Sequence, residues 1–159
     1  MEGEGGIRQR GRNDCGPAAL AHCLRRLGAA VAYPDPGIRV RPGPRGCRLD
    51  ELAAEADRLG WMARARRADR CHLRRLRPPA ILHVDGDHFV VLEGRERGRW
   101  LLHDPARGPV RCSARALTAR WTGWVLEIGP RRPGPGSHPG PGVPARPAGR
   151  GVGRPPARW

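Results

Sequence analysis

Lysine is absent from this 159-residue chain, and all 30 of its basic residues are arginine. A surface selected for positive charge mixes the two cations. All-arginine usage beside heavy Ala, Gly and Pro therefore reads as coding bias, and the formal charge of +15 loses its usual force as a pointer to nucleic acid. Aromatic rings are scarce too, with one Phe, one Tyr and five Trp. No apolar run approaches the ~20 residues that a helix needs to cross a bilayer. The opening MEGEGGIRQR lacks the apolar stretch of a secretion signal. These absences exclude a self-inserting membrane protein. Glycine (23) and proline (18) abound but form no internal repeat, which excludes a collagen-like chain.

Acidic residues are missing from the C-terminal end as well, the last being Glu127. From Pro130 to Trp159 the chain holds nine Pro, seven Gly and six Arg. Such a segment buries too little apolar surface to offset its ordering entropy and is expected to be a disordered tail. Residues 1–129, with 24 Arg against 15 acids, are expected to form one domain with a real core. The single aromatic residue of the tail, Trp159, offers little for stacking on bases, and no nucleic-acid partner is expected.

The five cysteines (Cys15, Cys23, Cys47, Cys71, Cys112) include no CxxC pair. An odd number without a secretion signal argues against a disulfide framework. Cys71 and His72 are adjacent, and adjacent residues point apart on a helix or strand, so they make poor joint zinc ligands. No cofactor or metal is implied. Cys23, Cys47, Cys71 and Cys112 read as small, mostly buried hydrophobes.

Periodicity orders the rest. Ala19, Leu20, Cys23, Leu24 and Leu27 recur at helical spacing, Gly28 stands at the C-cap, and Pro17 is tolerable only in a first turn. The helix therefore starts close to Cys15. Residues 33–46, with four Pro and three Gly, read as an irregular loop. A second helix is expected from about Asp50 to Leu59, ended by Gly60, then a weak strand over 61–65 and a short helix capped by Asp69. AILHV (80–84), HFVVLE (88–93) and RWLLHD (99–104) are short apolar runs separated by turn sequences, as in antiparallel strands. Ser113 caps a brief helix, and WVLEI (124–128) closes the domain. Helices followed by antiparallel strands give an α+β fold.

A thiol at a helix start faces unpaired N–H groups and the positive end of the macrodipole, and both favour the thiolate. Cys15 is thus a candidate nucleophile; the plain alternative is a buried inert thiol. Among six histidines, His88 stands out because it follows the DGD turn at the mouth of a strand. If strands 88–93 and 99–104 form a hairpin centred on Glu96, His88 lies directly opposite Asp104, where a carboxylate can orient the imidazole. A one-residue slip would separate the two onto opposite faces. Acyl transfer also needs oxyanion donors, for which the Cys15 backbone N–H and the Gln9 side chain are candidates.

QRGRNDCGPAALAHCLRRLG, PAILHVDGDHFVVLEG and LLHDPARG, in that order, closely resemble the bacteriocin-processing, double-glycine leader peptidases. These are papain-like cysteine peptidases found most often at the N-terminus of peptide-exporting ABC transporters. The resemblance covers about residues 7–129. It implies a papain-like fold with the nucleophile's helix packed on an antiparallel sheet and the site in the cleft between them. It assigns Cys15 as nucleophile, His88 as general base and acid, Asp104 as the orienting residue and Gln9 as the oxyanion-hole glutamine, with Gly16 also matching. The implied reaction cuts a precursor peptide after a Gly-Gly leader, in the cytoplasm, beside an ABC transporter. No GxxxxGK[ST] motif occurs. The chain is accordingly read as a free-standing peptidase working with a separate transporter, or as part of a longer transporter. A leader-docking module that does not cut is the rival reading, but such modules lose the nucleophilic cysteine.

Overall fold

Alternation along the strands divides the apolar side chains between the two faces of one sheet. The computed structural model describes residues 6–131 and the backbone of residues 157 and 158. Its elements in chain order are α1 (Cys15–Arg26), α2 (Leu49–Arg58), β1 (Trp61–Arg67), α3 (Arg70–Arg75), β2 (Ala80–Val84), β3 (His88–Glu96), β4 (Arg99–Asp104), β5 (Gly108–Cys112), α4 (Ala114–Arg120), β6 (Trp121–Pro130) and β7 (Ala157–Arg158). The strands run in the order β1-β6-β2-β3-β4-β5-β7, and every pairing is antiparallel except β5 with β7.

Ile81, Phe89, Val91 and Leu126 project from one face onto Ala19, Leu20 and Leu24 of α1 and Leu52 and Ala56 of α2. The intervening residues Leu82, Val90, Leu92 and Val125 project from the other, where they meet Leu73 of α3 and Leu117 of α4. The period-2 rule thus produces helical layers on both sides of the sheet. A smaller cluster of Ile7, Ala18, Ala21 and Ile38 ties the N-terminal segment and the loop after α1 to the back of that helix.

The helix boundaries follow local chemistry. α1 is followed by Gly28 and α2 by Gly60, with φ of 98° and 90°, a backbone region that glycine enters without a Cβ clash. The Asp69 carboxylate accepts the His72 N–H at 2.7 Å, and Ser113 Oγ accepts the Ala116 N–H at 3.1 Å, capping α3 and α4. The proline-rich loop is docked rather than free. Ile38 is buried, and the Arg39 N–H is donated to the buried carboxylate of Glu55 at 2.5 Å.

Four features differ from the sequence-based expectations. The β3–β4 hairpin turns at Arg97-Gly98, not about Glu96: both residues have positive φ (48° and 75°), the type I′ requirement, and glycine meets it best at the second position. The pairing also breaks once. Gly94 faces Leu101 but Leu92 faces Leu102, so Glu93 is an extra, unpaired residue in a β-bulge. β5 is an element that the sequence reading lacks: it is short, and Pro109 has no N–H for a ladder, yet its side chains alternate, with Val110 and Cys112 buried and Pro109 exposed. It is sustained by pairing with β4. Finally, Pro130 ends β6 opposite Trp61 instead of opening the tail, and Ala157–Arg158 pair with β5. The disorder expected of the rest of the tail concerns residues outside those described.

Leu20 is fully buried at the centre of the α1–sheet contact. Leu20→Ala is expected to destabilise the protein by about 2–5 kcal/mol, read as a lower urea midpoint with an unchanged slope.

Candidate active site

Cys15 is the first residue of α1, and its side chain is buried between the helix and the sheet. The helix starts here because Ala18 N–H makes the first intrahelical bond, to Asp14 C=O at 3.1 Å, and Pro17 has no N–H to lose. The N–H groups of Cys15 and Gly16 consequently have no intrahelical acceptor and point toward the helix mouth. The Asp14 side chain does not cap the helix. It turns back to accept the N–H groups of Arg10 (3.0 Å) and Gly11 (2.9 Å) and the Tyr33 hydroxyl (2.8 Å), shaping the loop that leads to the cysteine. Gly16 is dictated by crowding, since a Cβ added there would overlap Cys47 Sγ.

His88 opens β3, and its Nε2–H donates to Asp104 Oδ1 at 2.8 Å. The two are not directly opposed. Continuing the pairing of Val91 with His103 sets Asp104 across from Val90, one diagonal step from His88 and on the same side of the strand pair. The bulge at Glu93 is what makes this possible. Had the turn-proximal register run on unbroken, Asp104 would have faced Val91 and pointed to the wrong side. Asp104 Oδ1 also accepts the Ala106 N–H at 2.9 Å. Burial alone would push the Asp104 carboxyl up, but the His88 and Ala106 hydrogen bonds outweigh it and hold it below the usual carboxylate range.

With Nε2 engaged by Asp104, the other ring nitrogen of His88 is left for Cys15, which lines the same cleft. Burial opposes a charge on His88, yet the hydrogen bonds to Asp104 and Cys15 and the charges behind them raise it to about 9. The constellation therefore favours an imidazolium next to the sulfur, the arrangement that keeps a thiol nucleophilic. The turn before His88 is fixed from outside, because the Arg120 guanidinium grips both carboxylate oxygens of Asp85 while Asp85 N–H donates to Arg120 C=O at 2.8 Å.

Cys15, His88 and Asp104 line one cleft of about 690 Å³, walled by Cys47 and Phe89 and rimmed by Arg12, Arg45 and Arg107. Gln9 is not among the residues lining that cleft. Its backbone N–H donates to Pro105 C=O at 2.9 Å, its Nε2 donates to Gly11 C=O at 2.7 Å, and its Oε1 is buried without a partner. Three residues of the site escaped the sequence reading in whole or in part. Cys47, expected to be a small, mostly buried hydrophobe, is half-buried and faces the cleft. Asp14 carried no assigned role in the sequence, yet it organises the loop that precedes α1. Glu93 gave no local signal, since a bulge depends on the partner strand. The other thiols differ from Cys15 in setting: burial pushes Cys23 and Cys47 up to about 12 and Cys112 to about 11, whereas Cys71 is exposed on α3. Among the described residues no three His, Cys, Asp or Glu side chains converge as metal ligands.

Residues 5–132 match the model of the peptidase C39 family. The chain is 36% identical over 124 residues to the colicin V secretion/processing ATP-binding protein CvaB of Escherichia coli, covering 78% of this chain and 18% of that protein. It spans less than a fifth of that relative's length. Two solved structures share its fold at 25% identity. The peptidase domain of Streptococcus ComA, a bi-functional ABC transporter involved in quorum sensing, has a TM-score of 0.69 over 79% of this chain and 97% of the domain. A double glycine motif protease from an AMS/PCAT transporter, in complex with its leader peptide, has a TM-score of 0.66 over 79% and 90%. The α+β architecture is accordingly the papain-like one.

Because His88 is raised from 6.5 to about 9, its interactions stabilise the fold fully below pH 6.5 and are lost as pH rises through 9. An NMR titration of the His88 ring is expected to show a midpoint near 9, and Asp104→Ala is expected to move it down toward 6.5.

Proposed function

Because this chain belongs to the peptidase C39 family, it is a cysteine peptidase, and we propose that it cuts the leader from a bacteriocin-like precursor peptide directly after a Gly-Gly pair. Residues 1–129 form the catalytic unit. The observation that carries the reading is a single imidazole, His88, hydrogen-bonded to Asp104 and lining one open cleft with Cys15.

In the proposed reaction the Cys15 thiolate adds to the carbonyl carbon of the second glycine. The negative charge that develops on oxygen is taken by the Cys15 backbone N–H at the α1 mouth and by the Gln9 amide, which exchanges the Gly11 carbonyl for the oxyanion. As the C–N bond breaks, the imidazolium of His88 passes its proton to the leaving amine and a thioester remains on Cys15. His88 then takes a proton from water, whose oxygen attacks the thioester. The leader leaves with a free carboxylate, and the thiolate–imidazolium pair is restored. Asp104 keeps the ring aimed throughout and stays ionised. Glycines before the cut suit a cleft whose wall beside the nucleophile is formed by Phe89 and Cys47.

The partner in this reading is an ABC transporter that exports the trimmed peptide, carried on a separate chain, with cleavage on the cytoplasmic side. One solved relative is the peptidase domain of an ABC transporter, and another comes from an AMS/PCAT transporter. Among the described residues no helix is long and apolar enough to cross a membrane.

The test is incubation of the purified chain with a synthetic precursor bearing a Gly-Gly leader, followed by mass spectrometry. A single cut after the second glycine is expected, Cys15→Ala should abolish it, and Gln9→Ala should lower kcat about 10²–10³-fold. Leader binding by the intact chain with no cleavage would overturn the reading in favour of a docking module. Iodoacetamide near neutral pH should label Cys15 ahead of the buried Cys23 and Cys112. Labelling of Cys15 no faster than free cysteine would contradict an activated thiol.

A further inference from the structure

Two buried histidines, His22 of α1 and His103 of β4, take no part in the chemistry above, and the core around them offers no obvious need for polar rings. Their rings stack on each other, with centroids 3.8 Å apart and planes 11° from parallel. Together they hold both backbone groups of one residue. Ile7 N–H donates to His22 Nδ1 at 3.2 Å, and Ile7 C=O accepts from His103 Nε2–H at 2.6 Å. Since Nδ1 of His22 is an acceptor, its proton sits on Nε2, which donates to Glu93 Oε1 at 2.8 Å. That glutamate is the bulge residue that sets the His88–Asp104 register. Gly6 lets the chain lie flat on the pair, because a Cβ there would overlap the His103 ring.

Downstream of Ile7 the segment has no regular structure, yet it is tied along its length. Arg8 donates to Ala106 C=O at 2.7 Å, and Gln9 N–H donates to Pro105 C=O. The Asp14 carboxylate then receives the Arg10 and Gly11 N–H groups. Gln9 therefore stands on a strap pinned by two imidazoles at one end and by a carboxylate at the other. We propose that His22 and His103 are positioning residues of the peptidase, forming a backbone clamp on Ile7 that places Gln9 to receive the oxyanion. The proposal rests on the reading of Gln9 as an oxyanion donor. An apolar pair would fill the same space but leave the Ile7 N–H and C=O buried and unpaired, and a strap adrift by about 1 Å can cost a reaction of this kind up to about 100-fold.

The imidazole geometry supplies a matched pair of variants. In His103→Gln the amide nitrogen reaches the place of Nε2, whereas His103→Asn stops one methylene short; both are polar and close in size. Expected for His103→Asn is a fall in kcat of at least about tenfold with KM within about twofold. His103→Gln should recover most of the loss, and iodoacetamide should label Cys15 at the same rate in both. In a Gln9→Ala background His103→Asn should cost nothing further, because a residue that acts through Gln9 has nothing left to place. Equal losses in both backgrounds, or a Gln variant no better than Asn, overturn the proposal.

Failure of the underlying reading looks different: the unaltered chain does not cleave, or Gln9→Ala keeps full rate. The clamp is then judged by amide hydrogen exchange. Faster exchange at Ile7 and Gln9 in His103→Asn than in His103→Gln supports it, and equal rates overturn it.

Discussion

The His88 imidazole is the joint between the two halves of this protein. One nitrogen is held by Asp104, from the last position of β4, and the other faces Cys15, from the first position of α1. Helix and sheet contribute nothing reactive apart. A cysteine at a helix mouth without an adjacent cation is mostly thiol, and a histidine–carboxylate pair on a sheet edge is an ordinary ion pair. Bringing them together sets a ring that stays charged up to about pH 9 in the same cleft as the Cys15 sulfur. The packing of Leu20 and Leu24 onto Ile81 and Val91 is therefore as necessary to the chemistry as the reactive groups themselves.

A one-residue irregularity decides whether that joint can form. Side chains on a strand alternate, so the face on which Asp104 emerges depends on how many residues separate it from the turn on each side. The tight turn at Arg97-Gly98 and the bulge at Glu93 act in opposite senses on that parity, and together they return Asp104 to the side of His88. The extra residue is not left idle, since its carboxylate is taken up by His22 at 2.8 Å. A bulge stabilised by a buried partner is a structural element, and here it links the hairpin to the helix that carries Cys15.

The five thiols show how environment, more than residue type, sets the character of a cysteine. Cys23 and Cys112 lie in apolar surroundings where burial pushes them far above neutrality. Cys47 shares the cleft with Cys15 yet is pushed up to about 12 by the same desolvation, and it has no imidazolium beside it. The heavy arginine content belongs mostly to the surface. One guanidinium, that of Arg120, has a definite task near the site, which is to fix the turn leading into His88 by its pairing with Asp85.

The amino-acid sequence determined by itself everything governed by short-range rules. Pro17 admits only a first-turn position and so sets the start of the helix at Cys15; Gly28 and Gly60 end helices; Asp69 and Ser113 begin them; short apolar runs between turn sequences mark β2, β3 and β4. That Cys15, His88 and Asp104 were worth watching was also legible, because each stands at a helix or strand end where chemistry is exposed. What only the tertiary structure decided depends on partners distant along the chain. β5 exists because β4 pairs with it, despite Pro109, which has no N–H to give a ladder. The His88–Asp104 contact is diagonal rather than direct because Glu93 bulges, and the bulge is defined only against β4. Gln9 faces Gly11 and rests on Pro105 because two histidines, 15 and 96 residues beyond Ile7, close on that residue's backbone. Local propensity reports on a residue and its immediate neighbours, whereas parity, crowding and clamping are properties of surfaces that exist only once the chain has folded.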